Sequence, residues 1–295
     1  MTSAETTNVR TYLKEKGQFV DKLLDRYLPL ANTDPVLLHT AMRYSVLAPG
    51  KRLRPILALA AFEYCKGDAA GEDQPIHFAM AGLEMVHTYS LIHDDLPCMD
   101  DDDLRRGILT CHKKYGEATA VLAGDALHDI AFLLMARTGL VQAGKELAEA
   151  LGTKGMIGGQ MADVEAEGRD VSREEVIRIH TRKTGALIRC ALRLGGLIAG
   201  VDDMKLAVLT KYGEKIGLAF QVIDDILDVE GDAKRLGKNV GSDSRMGKAT
   251  YPGVVGIEQA RHDSAVLIKE GVNALDIYGD SVLKDIAYYI GQRDN

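Results

Sequence analysis

The sequence predicts an all-α protein, a single helical bundle. Three observations lead there. Apolar residues recur at helical spacing along nearly the whole chain. No stretch shows the period-2 alternation of a half-buried strand. No Pro/Ser-rich linker divides the 295 residues, so residues 1–295 read as one domain, although ~150 residues per domain would suggest about two.

The elements follow in order. Val9, Leu13, Val20, Leu24, Tyr27 and Leu28 share one face of a first helix. Asp34 and Pro35 read as a helix start, with the carboxylate as cap and proline at the first helical position. Pro55 opens the next helix, 56–65, and Gly67 can close it. A long helix runs from Pro75 towards Asp95, another over 117–137, and one over about 142–167. Ser172 with Glu175 three residues on fits a capping box, and the helix it opens passes 183–185 to Leu197. Residues 203–229 form a further long helix. A polar loop, 230–251, follows, and helix resumes after Pro252 with breaks near Gly271 and Gly279.

Composition narrows the function classes. Hydrophobic residues make up 46% and charged residues 27%, the balance of a soluble globule rather than a disordered or fibrous chain. The net charge of −7 provides no broad basic field for nucleic acid. Trp is absent, and eleven Tyr and five Phe leave most of the core to aliphatic side chains. Cys65, Cys98, Cys111 and Cys190 contain no C-x-x-C pair and read as free thiols in a reducing compartment. The polar start, 1–10, carries no export signal, and the longest early apolar run, 56–62, is far short of the ~20 residues of a membrane span. The expected location is the cytoplasm.

Two acidic constellations carry chemistry. On the helix containing 220–228, Gln221, Asp224, Asp225 and Asp228 share one stripe, with Val222, Ile223, Ile226 and Leu227 on the other faces. Like charges one turn apart oppose the helix, and acids near its C-terminus oppose its dipole. Apolar flanks imply burial around the stripe, and buried acids need cations. The second constellation, Asp94, Asp95 and Asp100 to Asp103, places six acids in ten residues. Pro97 must bend or end the preceding helix, which lets Asp100 fold back towards Asp94. Carboxylates of this kind suit Mg²⁺, which takes one or two of them together with waters and substrate phosphates.

Basic groups flank both clusters: Lys51, Arg52 and Arg54; Arg105 and Arg106; Arg182 and Lys183; Lys238 and Lys248. Together they supply the cations with which an acidic protein can hold two diphosphates. His87 lies two helical turns before Asp94 on nearly the same face, in reach of a phosphate. Glu84 and His87 form an E-x-x-H, but no second one exists to complete a di-iron bundle.

In order along the chain stand G-K-R-L-R-P at 50–55, D-D-x-x-x-x-D at 94–100, L-R-R-G at 104–107 and A-G-D-A-L at 123–127. G-Q-x-x-D at 159–163, K-T-G at 183–185, F-Q-x-x-D-D-x-x-D at 220–228, G-K at 237–238 and K-A-T-Y-P at 248–252 follow. This ordered set resembles the polyprenyl diphosphate synthase family of trans-prenyltransferases, nearest its bacterial farnesyl-producing branch. The resemblance implies the isoprenoid-synthase bundle around a central cavity, homodimers and Mg²⁺ as cofactor. It implies that isopentenyl diphosphate is condensed with dimethylallyl and geranyl diphosphate to give farnesyl diphosphate.

Carried over, Asp94, Asp95, Asp100, Asp224 and Asp228 are the metal-binding acids. Arg105, Lys183, Thr184, Gln221 and Lys238 meet the allylic substrate, while Lys51, Arg54, His87 and Arg106 hold isopentenyl diphosphate. Lys248 joins the phosphate-binding groups. Catalysis rests on Asp94, Asp95, Asp100, Arg105, Lys183, Asp224 and Lys238. Tyr89 and Ser90 precede Asp94, Tyr89 by about 7.5 Å at ~1.5 Å per residue, and are expected to set product length. In the family, an aromatic there together with a two-residue insertion, here within 96–99, accompanies the fifteen-carbon product. One departure is the tail at 292–295, Gln-Arg-Asp-Asn, where many relatives carry a basic cluster that closes over phosphate. The competing readings are a geranylgeranyl diphosphate synthase and a non-catalytic modulatory subunit, and the second conflicts with two intact acid motifs.

Overall fold

The computed structural model describes residues 3–67, 71–230 and 248–292. Helices dominate it as expected. They are α1 (Ser3–Tyr27), α2 (Val36–Val46), α3 (Leu53–Lys66), α4 (Pro75–Asp94), α5 (Cys111–Tyr115), α6 (Glu117–Arg137) and α7 (Val141–Leu151). After them come α8 (Met156–Ala166), α9 (Arg173–His180), α10 (Ala186–Ala199), α11 (Asp203–Glu230), α12 (Tyr251–Val255), α13 (Ile257–Leu275) and α14 (Val282–Gly291).

The central element is α4, whose residues are buried on almost every side by α6, α3, α10, α2 and α1. Its length follows from its ends. Gln74 caps it, donating its backbone N–H to His77 Nδ1 at 3.3 Å, and Pro75 occupies the first helical position. On the other side of the bundle α11 packs against α13 and α10. Its buried Leu209, Tyr212, Ile216 and Ile223 make it a core helix that carries acids at its C-terminal end.

The helix boundaries correct the sequence reading in four places. Pro35 is the N-cap of α2 in extended conformation, and helix begins only at Val36, so neither Asp34 nor Pro35 plays its expected part. Helix α3 starts at Leu53 and holds Pro55 in its first turn, where the missing N–H would have no intrahelical partner anyway. The helix expected over 142–167 is two helices, broken at 152–155, where Gly152 and Gly155 interrupt the ladder. The break expected near Gly279 is present at 276–281, but Gly271 lies inside α13 against Ile216, and the other break falls at Gly256, which adopts φ +84°. The capping box at Ser172 and Glu175 forms as expected, with both bonds at 3.2 Å.

Two local features were not anticipated. A two-stranded antiparallel hairpin pairs β1 (Leu104–Arg105) with β2 (Ile108–Leu109), turning at Arg106 and Gly107 with positive φ. Between α9 and α10 the helix widens into a π turn, Thr181–Gly185. All four cysteines are free thiols, with Cys98 exposed. Helix α6 is long and apolar enough to cross a membrane by length and composition, a property the early apolar run did not reveal. It packs against α4, α2, α5 and α7 within the bundle.

Candidate active site

The first acid motif is shaped by the end of α4. The helix stops at Asp94, Asp95 caps it, and Pro97 follows in a tight turn. The Asp100 N–H then donates to the Asp94 carbonyl at 2.8 Å, so the chain folds back as the proline requires. Asp101 takes φ +49° in that turn. Asp95 points away from the open side. Its Oδ1 accepts from Arg105 Nε at 2.7 Å and also from Nη2, whose second partner is Asp102 at 3.0 Å. Burial raises the Asp95 carboxyl to about 6, with Arg105 opposing. The short hairpin that presents Arg105 is therefore anchored to the end of α4.

The second acid motif lies on α11. Asp224 faces the interior cavity, and Asp228, one turn on, is buried. Asp225 turns to the opposite side as a structural hub. Its Oδ2 accepts the Tyr251 N–H at 2.8 Å and lies 2.9 Å from His180 Nε2, and its Oδ1 accepts from Gln221 Nε2 at 2.8 Å. Gln221 in turn accepts from Thr184 Oγ1 at 2.6 Å. The sequence reading grouped Asp225 with the acidic stripe and left its role open. His180, five residues before Gly185, was the signal that a partner existed.

The π turn brings Lys183 towards the first motif and Thr184 to Gln221 of the second. Lys183 Nζ donates to Asp163 Oδ2 at 2.6 Å. Burial opposes its charge, but Asp163, Asp94 and Asp100 outweigh it and raise the ammonium pKa. Asp94 is itself raised by burial, against the pull of Lys183, Arg105 and Lys248. Lys248 Nζ donates to Asp100 Oδ1 at 2.9 Å, tying the segment before α12 to the first motif. Asp163 was quoted within G-Q-x-x-D but not assigned, and its contact spans twenty residues of sequence. Two close approaches fix the turn. A Cβ on Gly159 of α8 would lie 2.3 Å from Lys183 N, and one on Gly217 of α11 would lie 2.9 Å from Gly185 Cα.

The basic groups divide. Lys51, Arg54, His87, Arg105 and Arg106 line the cavity with Lys183, Thr184 and Gln221. Arg54 Nη1 stands 3.3 Å from His87 Nε2. Burial pushes the His87 pKa well down, and Arg54, Arg106, Arg105 and Arg52 push it further, so its imidazole is neutral. Arg52, which the sequence grouped with the phosphate-facing cations, borders the same cavity but is buried, with its guanidinium on Asp21 and Glu84. Lys238 lies outside the described residues, as does the tail beyond 292.

The cavity measures about 1510 Å³. Apart from its charged end it is walled by Leu91, Leu96, Met156, Met161, Phe220 and Leu227. Tyr89 and Ser90 line it on α4. Ser90 Oγ donates to the His87 carbonyl at 2.9 Å. The Tyr89 ring meets His93 and His128 edge-on, with centroids 5.5 and 5.3 Å away.

The residues fit Mg²⁺ on donor chemistry. Asp94, Asp100, Asp224 and Asp228 offer hard carboxylate oxygens. Among the described residues no three His, Cys, Asp or Glu side chains converge on one ion position. Mg²⁺ takes one or two such carboxylates and completes its shell with waters and substrate phosphates.

Comparison with known proteins agrees with this geometry. The polyprenyl synthetase family model matches residues 35–278. Farnesyl diphosphate synthase of Escherichia coli (strain K12) is 48% identical over 282 residues, 90% of this chain and 92% of the relative. The heterodimeric geranylgeranyl pyrophosphate synthase large subunit 1, chloroplastic, of Arabidopsis thaliana is 44% identical over 300 residues, 97% of this chain and 79% of the relative. The crystal structure of an FPP/GFPP synthase from Zymomonas mobilis superposes with a TM-score of 0.82 at 35% identity, covering 97% of this chain and 99% of that one. With the ordered motifs, the shared fold and these identities in agreement, the chain belongs to the polyprenyl synthetase family.

Proposed function

We propose that this protein joins isopentenyl diphosphate head-to-tail to dimethylallyl and then geranyl diphosphate, forming farnesyl diphosphate with Mg²⁺ as cofactor. The observation that supports it best is the large cavity beside the acid motifs. It is lined by Asp94 and Asp224 of the two acid motifs with Lys183, by Arg54, His87 and Arg106, and by an apolar stretch that includes Leu91, Leu96, Met156 and Leu227. Asp94, Asp100, Asp224 and Asp228 would hold Mg²⁺, with Asp95 fixing Arg105 in support. When bound, the metal supplies positive charge to the leaving diphosphate.

The chain's own residues account for the other steps. Lys183, Thr184, Gln221, Arg105 and Lys238 hold the allylic diphosphate, and Lys183 adds charge where negative charge develops. The allylic C1–O bond breaks with its electron pair leaving on diphosphate. The aliphatic walls keep water from the allylic cation. Lys51, Arg54, His87 and Arg106 orient isopentenyl diphosphate so that its double bond attacks C1. One proton is then lost to the departed diphosphate, and no protein base is required. Neutral His87 suits this role, since it can donate one N–H to phosphate without adding charge among arginines.

Product analysis with dimethylallyl and isopentenyl diphosphates plus Mg²⁺ tests the reading. Fifteen-carbon diphosphate is expected, a twenty-carbon product supports the second reading, and no turnover by the chain alone supports a modulatory subunit. Geranylgeranyl synthesis is kept as that second reading because the plant relatives so named are as similar as 44%. The homodimer implied by the family is supported by Leu122 and Leu133, which α6 leaves exposed. Four free thiols suit a reducing cytoplasm.

Two substitutions separate the substrates. Arg54→Ala is expected to raise KM mainly for isopentenyl diphosphate, and Lys183→Ala mainly for the allylic partner. Steady-state kinetics with each substrate varied in turn reads the split, and equal effects from both changes contradict it. A third substitution addresses length. The Tyr89 ring lines the cavity and packs edge-on against His93 and His128, and His128 packs on Phe132 at 4.9 Å. Tyr89→Ala removes that ring and is expected to shift product towards geranylgeranyl and longer diphosphates with catalysis retained. An unchanged product spectrum in the active variant would remove Tyr89 from the assignment.

A further inference from the structure

Arg52 and Glu84 form a buried ion pair that none of the proposed chemistry uses. Their side chains are 2% and 1% exposed, and Arg52 Nη1 donates to Glu84 Oε1 at 2.9 Å. Burying two charges opposes folding unless both are fully engaged. Arg52 is engaged three ways. Besides Glu84 on α4, its Nε donates to Asp21 on α1 at 2.8 Å, and its Nη2 donates to the Ala48 carbonyl at 2.8 Å. Its backbone takes φ +51°, a left-handed conformation that a side chain adopts when its surroundings over-determine it. This twist points the Arg52 guanidinium at Asp21 and Glu84, and Lys51 and Arg54 line the cavity on either side of it.

A second arginine, Arg106, lies beside Arg52. A Cβ on Gly50 would stand 2.5 Å from Arg106 Nη1 and 3.2 Å from Arg52 Nη1, so the two guanidinium groups meet over that glycine. Burial lowers the Arg106 pKa, and Arg52 and Arg105 lower it further, while Glu84 is the principal anion acting the other way and Asp95 adds less. One turn beyond Glu84 on the same helix stands His87, 3.3 Å from Arg54. A single buried carboxylate thus lies at the root of a cluster comprising Arg52, Arg54, His87 and Arg106.

We infer that Glu84 is a positioning residue for the isopentenyl diphosphate site: through Arg52 it fixes the loop bearing Lys51 and Arg54, and through its charge it holds Arg106 beside them. The inference rests on the reading that Lys51, Arg54, His87 and Arg106 hold that substrate. Glu84 borders the cavity, but its carboxylate is engaged by Arg52 and by neither acid motif. Its loss therefore acts on one substrate only.

Glu84→Gln keeps the shape and removes the charge. Its KM for isopentenyl diphosphate is expected to rise at least about tenfold, with KM for geranyl diphosphate changed less than about twofold. Glu84→Asp, which restores the charge one methylene short, is expected to recover part of the loss. Equal rises for both substrates, a fall in kcat alone, or no change would overturn the inference. Should Glu84→Gln not accumulate as folded protein, Arg52→Met combined with Glu84→Met replaces the pair with apolar groups that a core tolerates. The same selective rise is expected there. Wild-type KM, or failure of that variant to fold as well, would show that the pair serves the fold and not the site. Arg54→Ala measured alongside separates the two levels. If it too leaves the KM for isopentenyl diphosphate unchanged, the site reading falls; if it raises that KM and Glu84→Gln does not, only the role of Glu84 falls.

Discussion

Asp94→Asn is expected to lower turnover on the order of 10²–10³-fold or more while leaving the fold intact and at least as stable. The two effects come from one cause. Burial raises the Asp94 carboxyl pKa, so the ionised form is held at a cost that Lys183, Arg105 and Lys248 only partly offset. The amide has the same volume and no charge, and it escapes that cost. It also cannot provide the anionic oxygen that a hard cation requires. Activity should therefore fall as the melting temperature holds or rises, the usual trade at a site built from strained electrostatics. Asp228→Asn on α11 should behave likewise. Calorimetry and turnover at saturating Mg²⁺ check the pair of outcomes, and near-normal activity there would sink the metal assignment.

Gly159→Ala should damage both fold and site. The added methyl would stand 2.3 Å from Lys183 N and 2.7 Å from Lys183 Cα. These are backbone atoms and cannot rotate aside, so α8 must separate from the π turn. Overpacking of this kind costs about 1–3 kcal/mol. Displacing Lys183 by about 1 Å costs a further ~10²-fold in rate. Gly144→Ala on α7, where a Cβ meets nothing within 4 Å, is the control and should be neutral or slightly stabilising. Thermal melts with kcat/KM for the allylic substrate read both variants. A Gly159→Ala enzyme as stable and active as wild type would show that the close approach does not position Lys183.

Most of the helical framework was legible because burial enforces a 3.6-residue period. Helix α6 spans 117–137 as read, and α4 runs from Pro75 to Asp94 because a proline starts it and another follows its end. The errors fall where local signals compete. Gly271 and Gly152 look alike in sequence, yet one packs a helix against Ile216 and the other ends a helix. The site was legible as a set of residue types, since acids among apolar residues have few structural uses. Which acid faces which way was not. Asp225 and Asp224 are neighbours, but Asp225 binds His180 and the Tyr251 N–H. Arg52 and Arg54 are two apart, but a left-handed backbone points the Arg52 guanidinium at Asp21 and Glu84. Such choices depend on partners 26 to 45 residues distant, which no local pattern contains.

The π turn at Thr181–Gly185 has a consequence for chain length. It holds one residue more than an α-helix joining the same ends. Successive helical residues are about 100° apart, so losing that residue would rotate everything after 185 by that angle relative to α9. Arg193 would leave Glu146, to which it donates at 2.8 and 2.6 Å, and Arg189 would leave Glu214 at 3.5 Å. The widened turn thus works as a phase adjuster, letting one rod present lysine to the substrate chamber and arginines to the outer scaffold. In this stretch the number of residues is constrained as strictly as their identity, and an alignment gap there would mean a different enzyme rather than a variable loop.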